Sequence, residues 1–340
     1  MIRYIIRRLL WAVVLFIAIT MLTYIIFFLI PADPARMACG QRVTPACVKQ
    51  ARHNLGLDKP VYIQYGRFLK RVVIDRSLGR SFANRQDVNT IVARAAPVTA
   101  SLVFGGAITW LLISIPIGIL SALRPRSLLD RSAMTFVLIG ISAHPVWLGL
   151  IFSWFFGYKL AITPIAGYCE AFSPPEGAAC GGVVQWFYHL ILPWLTFAIL
   201  FAALYVRMIR ANVLETLNED YVRTARAKGA PETRVMFRHV LRNAMLPVVT
   251  MLGMDIGLGL GGAIFTESIY NLPGMGRTLV VSLTGDDLPT TQGIVVFATL
   301  SIIVFNLLVN PLQVALAAAV LVSLCLLAQL VISVALLHLR

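Results

Sequence analysis

Charged side chains are scarce in this 340-residue chain, which has 13% charged against 59% hydrophobic residues. A soluble domain carries about a quarter charged residues, so most of these side chains must face lipid or one another. The mean hydropathy of +0.81 agrees with this. The composition therefore excludes an ordinary soluble globular protein and indicates a membrane protein.

Motifs for nucleotide and metal chemistry are also missing from the sequence. It has no G-x-x-x-x-G-K-[ST] run, so the chain is not expected to cradle a nucleotide by itself. It has no HExxH and no paired CxxC, and His144, His189 and His239 are widely separated. We therefore predict no catalytic residue, no metal site and no cofactor in this chain. His144 precedes Pro145 and is expected to mark a kink, with its imidazole bonded to a carbonyl that the kink frees.

Long apolar runs are the main positive feature of the chain. A helix needs roughly 17–25 residues to cross a bilayer, and six runs reach that range: Leu9–Ile30, Val98–Leu123, Ala133–Tyr158, Phe187–Val206, Met245–Phe265 and Gly293–Val309. The first run is too long for a signal-peptide core, which is typically about 7–15 residues, and no cleavage site follows promptly. The sequence thus predicts an all-α, polytopic membrane helical bundle with six core spans.

The distribution of cations predicts the orientation of these spans. Lys and Arg cluster in residues 1–8, 124–131 and 207–242, whereas residues 161–186 contain none. The positive-inside rule then places the N-terminus and the other two clusters in the cytoplasm. Residues 31–97 are also basic yet must lie outside, which is tolerable because long loops escape the rule. The net charge of +14 is therefore no evidence for nucleic acid binding.

Cysteine positions agree with this topology. Cys39 and Cys47 fall in the first outer segment, and Cys169 and Cys180 fall in the second. Two close pairs in an oxidising compartment predict disulfides Cys39–Cys47 and Cys169–Cys180. Free thiols without consequence are the alternative.

The outer segments differ in character. Pro60–Ile74 has apolar residues near helical spacing with interleaved cations, which predicts an amphipathic helix on the outer membrane face or on a partner. Residues 161–186 are rich in Pro and Gly, as is typical of a cap or loop. Ser268–Thr291 is dense in turn residues, and two interpretations stay open: it re-enters the membrane, or it covers a translocation route.

The span Met245–Phe265 is unusual for its small and acidic residues. Its five glycines favour either close helix packing or a bend, and the sequence leaves both open. Asp255 is the one acidic residue in the middle of a span, where charge is costly. Either Asp255 lines a polar translocation pathway and meets a cationic substrate group, or it is protonated or bonded to a neighbouring subunit.

A polar, cationic stretch separates two of the apolar runs. Asp220–Gly229 has the residue choice of a short helix, with Ala225 and Ala227 as good helix formers and Gly229 as a natural stop. A short exposed helix between two spans is well placed to be gripped by another protein.

Several separated pieces of the chain resemble one family, the permease subunits of binding-protein-dependent ATP-binding-cassette importers of the peptide and nickel type. The first subunit of dipeptide or oligopeptide permeases is the nearest likeness. The resemblance covers roughly residues 1–310 and rests on these pieces: Met1–Leu10, Leu55–Tyr65, Ser77–Ser81, Asp220–Gly229, Arg238–Pro247, Thr266–Tyr270, Pro273–Gly276 and Asp287–Gly293.

The resemblance implies a type I importer fold and a role for the cytoplasmic stretch. That stretch would be the coupling helix that fits a cleft on an ATPase subunit. The positions carried over from the family's coupling helix to this chain are Tyr221, Arg223, Thr224, Ala225 and Gly229. The general importer pattern begins Glu-Ala-Ala, whereas this chain has Arg-Thr-Ala at that place, so the charge of the contact differs. The other interpretation is that these cations only satisfy the positive-inside rule.

The resemblance also implies the machine around the chain. Its partners would be a homologous second permease subunit, two ATPase subunits or a fused ATPase, an extracytoplasmic substrate-binding protein and membrane lipid, with no nucleic acid. ATP and magnesium would bind the partner subunits, in a bacterial plasma membrane. The cargo would be short peptides, moved inward by alternating access. Alternatives are nickel chelates, glutathione or oligosaccharides, or a stand-alone secondary transporter.

These expectations divide the chain into four regions. Residues 1–30 form an N-terminal span, 31–97 an extracytoplasmic segment, 98–310 the core permease domain and 311–340 an additional apolar segment. The last region departs from the family, where a brief tail is expected. A single helix from Gly293 to Leu339 would be about 70 Å long, far beyond a bilayer core of about 30 Å. Leu312–Leu339 is therefore predicted as a possible seventh span after a hairpin at Asn310-Pro311.

Overall fold

A computed structural model describes residues 2–28, 34–39, 43–172 and 180–309. Within these ranges the regular structure is helical, with two isolated β-bridges, Arg80 with Asp87 and Glu170 with Gly181. The predicted all-α class is confirmed. The possible seventh span, Leu312–Leu339, lies outside the described residues.

Fifteen described α-helices follow one another along the chain, and π-helical stretches at Ser153–Lys159 and Val235–Val240 continue two of them. The helices are α1 (Ile2–Phe28), α2 (Pro34–Ala38), α3 (Pro45–Leu55), α4 (Val61–Val73), α5 (Val88–Leu123), α6 (Leu128–Ser142), α7 (Pro145–Phe152), α8 (Val183–Leu217), α9 (Asp220–Ala227), α10 (Glu232–Arg234), α11 (Leu241–Ala244), α12 (Leu246–Leu260), α13 (Ile264–Ile269), α14 (Met275–Thr284) and α15 (Leu288–Val309).

Membrane-spanning capacity is concentrated in a few of these helices. Four described helices are long and apolar enough to cross a bilayer, and they cover Val88–Leu123, Val183–Leu217, Arg238–Leu260 and Leu288–Leu307. A shorter apolar stretch of α1 covers Leu10–Ile26. The amphipathic helix predicted over Pro60–Ile74 is confirmed as α4.

The third predicted span is not one straight helix. Leu128–Ser142 and Pro145–Lys159 are bent by 103° relative to each other, so the prediction of a single span over Ala133–Tyr158 is corrected to a bent pair. The kink falls at the expected place. His144 caps α7 by accepting the Val146 N–H at 3.3 Å on Nδ1, so the imidazole serves an orphan backbone donor rather than a freed carbonyl.

The glycine-rich span also ends earlier than predicted. α12 stops at Leu260, and α13 begins at Ile264. Gly262 has φ +125°, a conformation that L side chains rarely adopt, and a Cβ there would lie 2.7 Å from Gly276 Cα. Glycine therefore allows both the break in the helix and a close backbone approach at this point. The predicted span Met245–Phe265 is therefore interrupted by a break, and of the two roles left open for its glycines both occur at Gly262.

Two compact units divide the described chain. The first combines the chain up to Thr99 with Gly257–Ile264 and the chain from Pro273 onward. In it α1 packs against α15, with Ile19 and Ile302 buried together.

The second unit comprises Ala100–Ile256 and Phe265–Leu272. In it α8 packs against α6 and α7. Trp110 of α5 is fully buried and stacks on Phe201 of α8, with ring centroids 4.7 Å apart. Gly106 allows this close packing of α5, because a Cβ there would lie 2.6 Å from the Phe197 ring.

Candidate functional site

The polar stretch after α8 folds as the predicted short helix. α9 ends in a left-handed turn at Gly229, which has φ +76°. The Ala230 N–H bonds to the Ala225 carbonyl at 3.2 Å and closes that turn. Glycine is favoured at this position because a side chain strains the left-handed conformation. The helix is therefore a separate element with its own stop signal.

One side of α9 is anchored and the rest is exposed. Val222 is its one fully buried residue, and Ala225 is half-buried. Tyr221, Arg223, Thr224 and Gly229 are all exposed, so four of the five carried-over positions lie at the surface. This arrangement leaves a ridge that a groove on a partner can receive.

Hydrogen bonds fix α9 to the segments that follow it. The Tyr221 hydroxyl accepts a hydrogen bond from Asn243 Nδ2 at 2.8 Å. Arg226 donates to both carboxylate oxygens of Glu232, at 2.8 and 3.2 Å. These contacts join α9 to α10 and α11.

Arg223 is an exposed cation of the ridge. Its Nη1 lies 3.8 Å from Asp220 Oδ1, and the two side chains are 69% and 99% exposed. An exposed pair at that distance contributes little to stability. The Arg223 guanidinium can therefore leave Asp220 and bind a partner with little loss of stability.

A buried ionic cluster, which was not predicted from the sequence, lies towards the α9 end of α8. Arg210 donates to both oxygens of Asp130, at 2.7 and 2.9 Å, and Ser121 donates to the same carboxylate at 2.5 Å. The Arg126 N–H adds a bond of 2.8 Å. The cluster joins the end of α5, the start of α6 and α8. An acid among the loop cations was the available signal, but only the fold shows which cation it meets.

Asp255 has a partner within the chain. Tyr205 of α8 is fully buried and donates its hydroxyl to Asp255 Oδ2 at 2.6 Å. Asp255 itself is half-buried. The sequence left open that this carboxylate is protonated or is bonded to a neighbouring subunit. The structure shows a third arrangement, a hydrogen bond from Tyr205 of the same chain. Its role in a translocation pathway stays a prediction.

Both predicted disulfides are present in the structure, Cys39–Cys47 and Cys169–Cys180. His189 lies beside the second, with Nδ1 at 3.3 Å from Cys169 Sγ. Within the described ranges these three residues form the one group with metal-ligand spacing. The two sulfurs are bonded to each other and so cannot act as thiolate ligands, which does not fit a metal site.

Comparison with known proteins gives the same picture along nearly the whole chain. Residues 114–322 match the family of binding-protein-dependent transport system inner membrane components. Residues 1–103 match the N-terminal region of binding-protein-dependent transport system membrane components.

Individual relatives share about a third of their residues with this chain. The probable D,D-dipeptide transport system permease protein of Escherichia coli strain K12 is 36% identical, over 91% of this chain and 94% of that protein. The di/tripeptide transport system permease protein of Pseudomonas aeruginosa strain UCBPP-PA14 is 36% identical, over 89% and 94%. The glutathione transport system permease protein of Pectobacterium atrosepticum is 35% identical, over 94% and 99%.

Proposed function

Because this chain belongs to the family of binding-protein-dependent transport system inner membrane components, we propose that it is the permease subunit of an ATP-driven importer of short peptides. The family is integral to the inner membrane, in agreement with the apolar helices of the described chain. Orientation belongs to the proposal, with the N-terminus and α9 on the cytoplasmic side as the loop cations indicate.

The exposed ridge of α9 is the observation that carries the proposed mechanism. It combines an exposed cation at Arg223, a glycine stop at Gly229 and hydrogen bonds that tie it to α10 and α11. An ATPase subunit that grips this ridge can move the helices attached to it. Alternating access requires that the partner binds the ridge differently in two states, because a contact equal in both shifts no equilibrium.

The proposed partners follow from this division of labour. Two ATPase subunits or a fused ATPase hold ATP and magnesium and carry out hydrolysis, while this chain forms part of the passage and is not catalytic. A second, homologous permease subunit encloses the other side of the passage. An extracytoplasmic binding protein delivers the cargo.

Short peptides are the proposed cargo because relatives of this chain are named for dipeptide and di/tripeptide transport. Asp255 offers a carboxylate in a span for the ammonium group that such a peptide carries. Glutathione is the second candidate, since a relative of similar identity is named for it. Competition between a labelled dipeptide and unlabelled glutathione for uptake separates the two.

A direct test measures peptide uptake by vesicles that contain the complete complex, with and without its ATPase subunits. We expect uptake to require both the ATPase and ATP. Uptake driven by an ion gradient in vesicles without any ATPase would instead establish a secondary transporter and would refute the proposal.

Arg223→Glu tests the ridge itself. Reversing this exposed charge is expected to uncouple ATP hydrolysis from uptake while the protein stays in the membrane at normal level. Arg223→Lys should retain most coupling, and Arg131→Glu, an equal charge reversal at an exposed residue of α6, should leave it unchanged. Full uptake by Arg223→Glu would remove α9 from the coupling role.

A further inference from the structure

An arginine-lined cavity opens beside the segment between α1 and α5, within the first compact unit. Its volume is about 970 Å³, and the described residues that line it include Arg67, Arg71, Arg80, Arg85, Gln64 and Gln292. Residues 31–97 hold twelve Lys or Arg against four Asp. The cavity gathers four of those cations into one place. They lie on the predicted outer side, so the positive-inside rule does not account for them.

Among the residues that the structure describes, no carboxylate neutralises the positive charge of this cavity by direct contact. No Asp or Glu is among the described residues that line it. Across the described ranges, none of the four guanidinium groups lies within 4.0 Å of a carboxylate oxygen. Asp75 acts on Arg71 through space, although burial lowers the pKa of Arg71 more than Asp75 raises it. An anion that entered the cavity would therefore meet uncompensated donors.

Glycines seat two of these guanidinium groups. A Cβ at Gly56 would lie 2.7 Å from Arg67 Nη1, and a Cβ at Gly79 would lie 3.7 Å from Arg71 Cζ. Both glycines have a positive φ, +68° and +97°, so each position favours glycine for its backbone as well. These two guanidinium groups thus lie close to backbone, while both arginines remain exposed.

Asp287 fixes the loop that carries the other two arginines. It accepts hydrogen bonds from the Ser81 hydroxyl at 2.5 Å, the Phe82 N–H at 2.8 Å and the Thr290 hydroxyl at 2.6 Å. Asp287 is 5% exposed. The loop that bears Arg80 and Arg85 is therefore held against the start of α15, so part of the ordering cost of a bound anion has already been met.

Gln292 supplies an independent sign of a missing acceptor. It is 2% exposed and contributes to the cavity wall. Its Nε2 is buried without a hydrogen-bond partner among the described residues. A buried amide donor without an acceptor is costly, and an oxyanion in the cavity is the kind of ligand that relieves this cost.

The location of the cavity identifies the class of anion. Tyr24, near the end of α1, and Gln292, in the first turns of α15, both line it. The ends of apolar helices lie at the level of lipid headgroups, so the phosphate of a phospholipid lies within reach of these arginines and can accept their charge-assisted hydrogen bonds. We propose that this cavity binds the phosphate group of an anionic phospholipid headgroup. The proposal is independent of the cargo and of the coupling role of α9.

The test uses the complete complex in nanodiscs that contain phosphatidylcholine with or without phosphatidylglycerol, and counts retained lipid by native mass spectrometry. Wild type is expected to retain phosphatidylglycerol selectively. The double variant Arg67→Gln, Arg80→Gln should bind it roughly thirty-fold more weakly, since each Arg near an anionic surface contributes about a factor of five. Arg94→Gln, an exposed residue of the same segment outside the cavity wall, should bind as wild type does.

Other outcomes overturn the proposal. Equal retention of phosphatidylglycerol by wild type and the double variant excludes the cavity. If the wild-type complex retains inorganic phosphate but shows no preference for phosphatidylglycerol over phosphatidylcholine, the ligand is not a lipid. If the double variant retains lipid as wild type does but no longer associates with the binding protein, the arginines bind an acidic protein surface instead. If the double variant fails to fold, Arg85→Gln, a single change in the exposed loop, is measured in its place.

Discussion

Asp130 shows how one carboxylate can join three elements. Donors from α5, from α8 and from the loop before α6 all converge on it. The carboxylate is largely buried, with 7% of its side chain exposed, while Arg210 keeps 26%. Such a pair adds little beyond a well-packed apolar contact, but the loss of one partner leaves a buried charge without compensation.

Arg210→Gln is accordingly expected to destabilise the chain. The predicted loss is about 3 kcal/mol in the free energy of unfolding, because Asp130 stays buried without its cation. Thermal unfolding of the purified complex measures it. Arg207→Gln on the same helix is the control, since Arg207 is exposed and a surface change typically costs within about 0.5 kcal/mol. Equal unfolding temperatures for the two variants would contradict the importance of the pair.

Tyr205→Phe removes the one described donor to Asp255 while it conserves the buried ring. The expected destabilisation is about 1–3 kcal/mol, because a buried polar group then lacks its partner. Tyr188→Phe, at a tyrosine of the same helix that is 44% exposed, should change little. Thermal unfolding of both variants decides the matter, and identical behaviour would show that Asp255 finds another donor.

At the scale of elements, α9 combines a sequence signal with a structural constraint. The residue choice of Asp220–Gly229 predicted a short helix and its stop, and both are confirmed. Residue choice could not predict that Val222 faces inward or that Tyr221 accepts from Asn243, because these contacts depend on where α11 lies.

Two substitutions at Gly229 can distinguish the effect of charge from the effect of backbone geometry at the end of α9. Asn and Asp are similar in size and both tolerate a left-handed conformation better than other residues. Gly229→Asp is expected to uncouple ATP hydrolysis from uptake by placing a negative charge on the cationic ridge, whereas Gly229→Asn should retain most coupling. The ratio of peptide uptake to ATP hydrolysis reports the difference. Equal uncoupling in both would make shape, not charge, the cause.

Helix breaks were harder to predict than helices. In the apolar run Ala133–Tyr158 the pair His144-Pro145 predicted a kink, but the sequence did not predict that the kink would be a 103° bend capped by His144. At Met245–Phe265 the glycines left packing and bending open, and the structure shows both at Gly262 because Gly276 passes close by. Local composition shows which segments are apolar, whereas the position and size of a helix break also depend on the element that packs beside it.

For the whole molecule, the two disulfides offer a test of topology. Thiol labelling of non-reduced protein in intact cells is expected to leave all four paired cysteines, Cys39, Cys47, Cys169 and Cys180, unmodified. After reduction by an agent that does not cross the membrane, Cys39, Cys47 and Cys180 should react, because both pairs are predicted to lie outside, whereas Cys169 is buried and reports nothing on location. Labelling before reduction would count against the bond concerned, and resistance after reduction would count against the outer location.

The sequence by itself determined the membrane class, the helical fold, the family, the cysteine pairs and the position of α9. Apolarity, spacing and helix stop signals act along the chain, so they can be read without knowing which elements meet. Only the tertiary structure decided the partners of Asp130 and Asp255, the size of the bend after α6 and the gathering of four arginines around one cavity. Those features join residues far apart in the chain, since side-chain partners in three dimensions are chosen by helix packing.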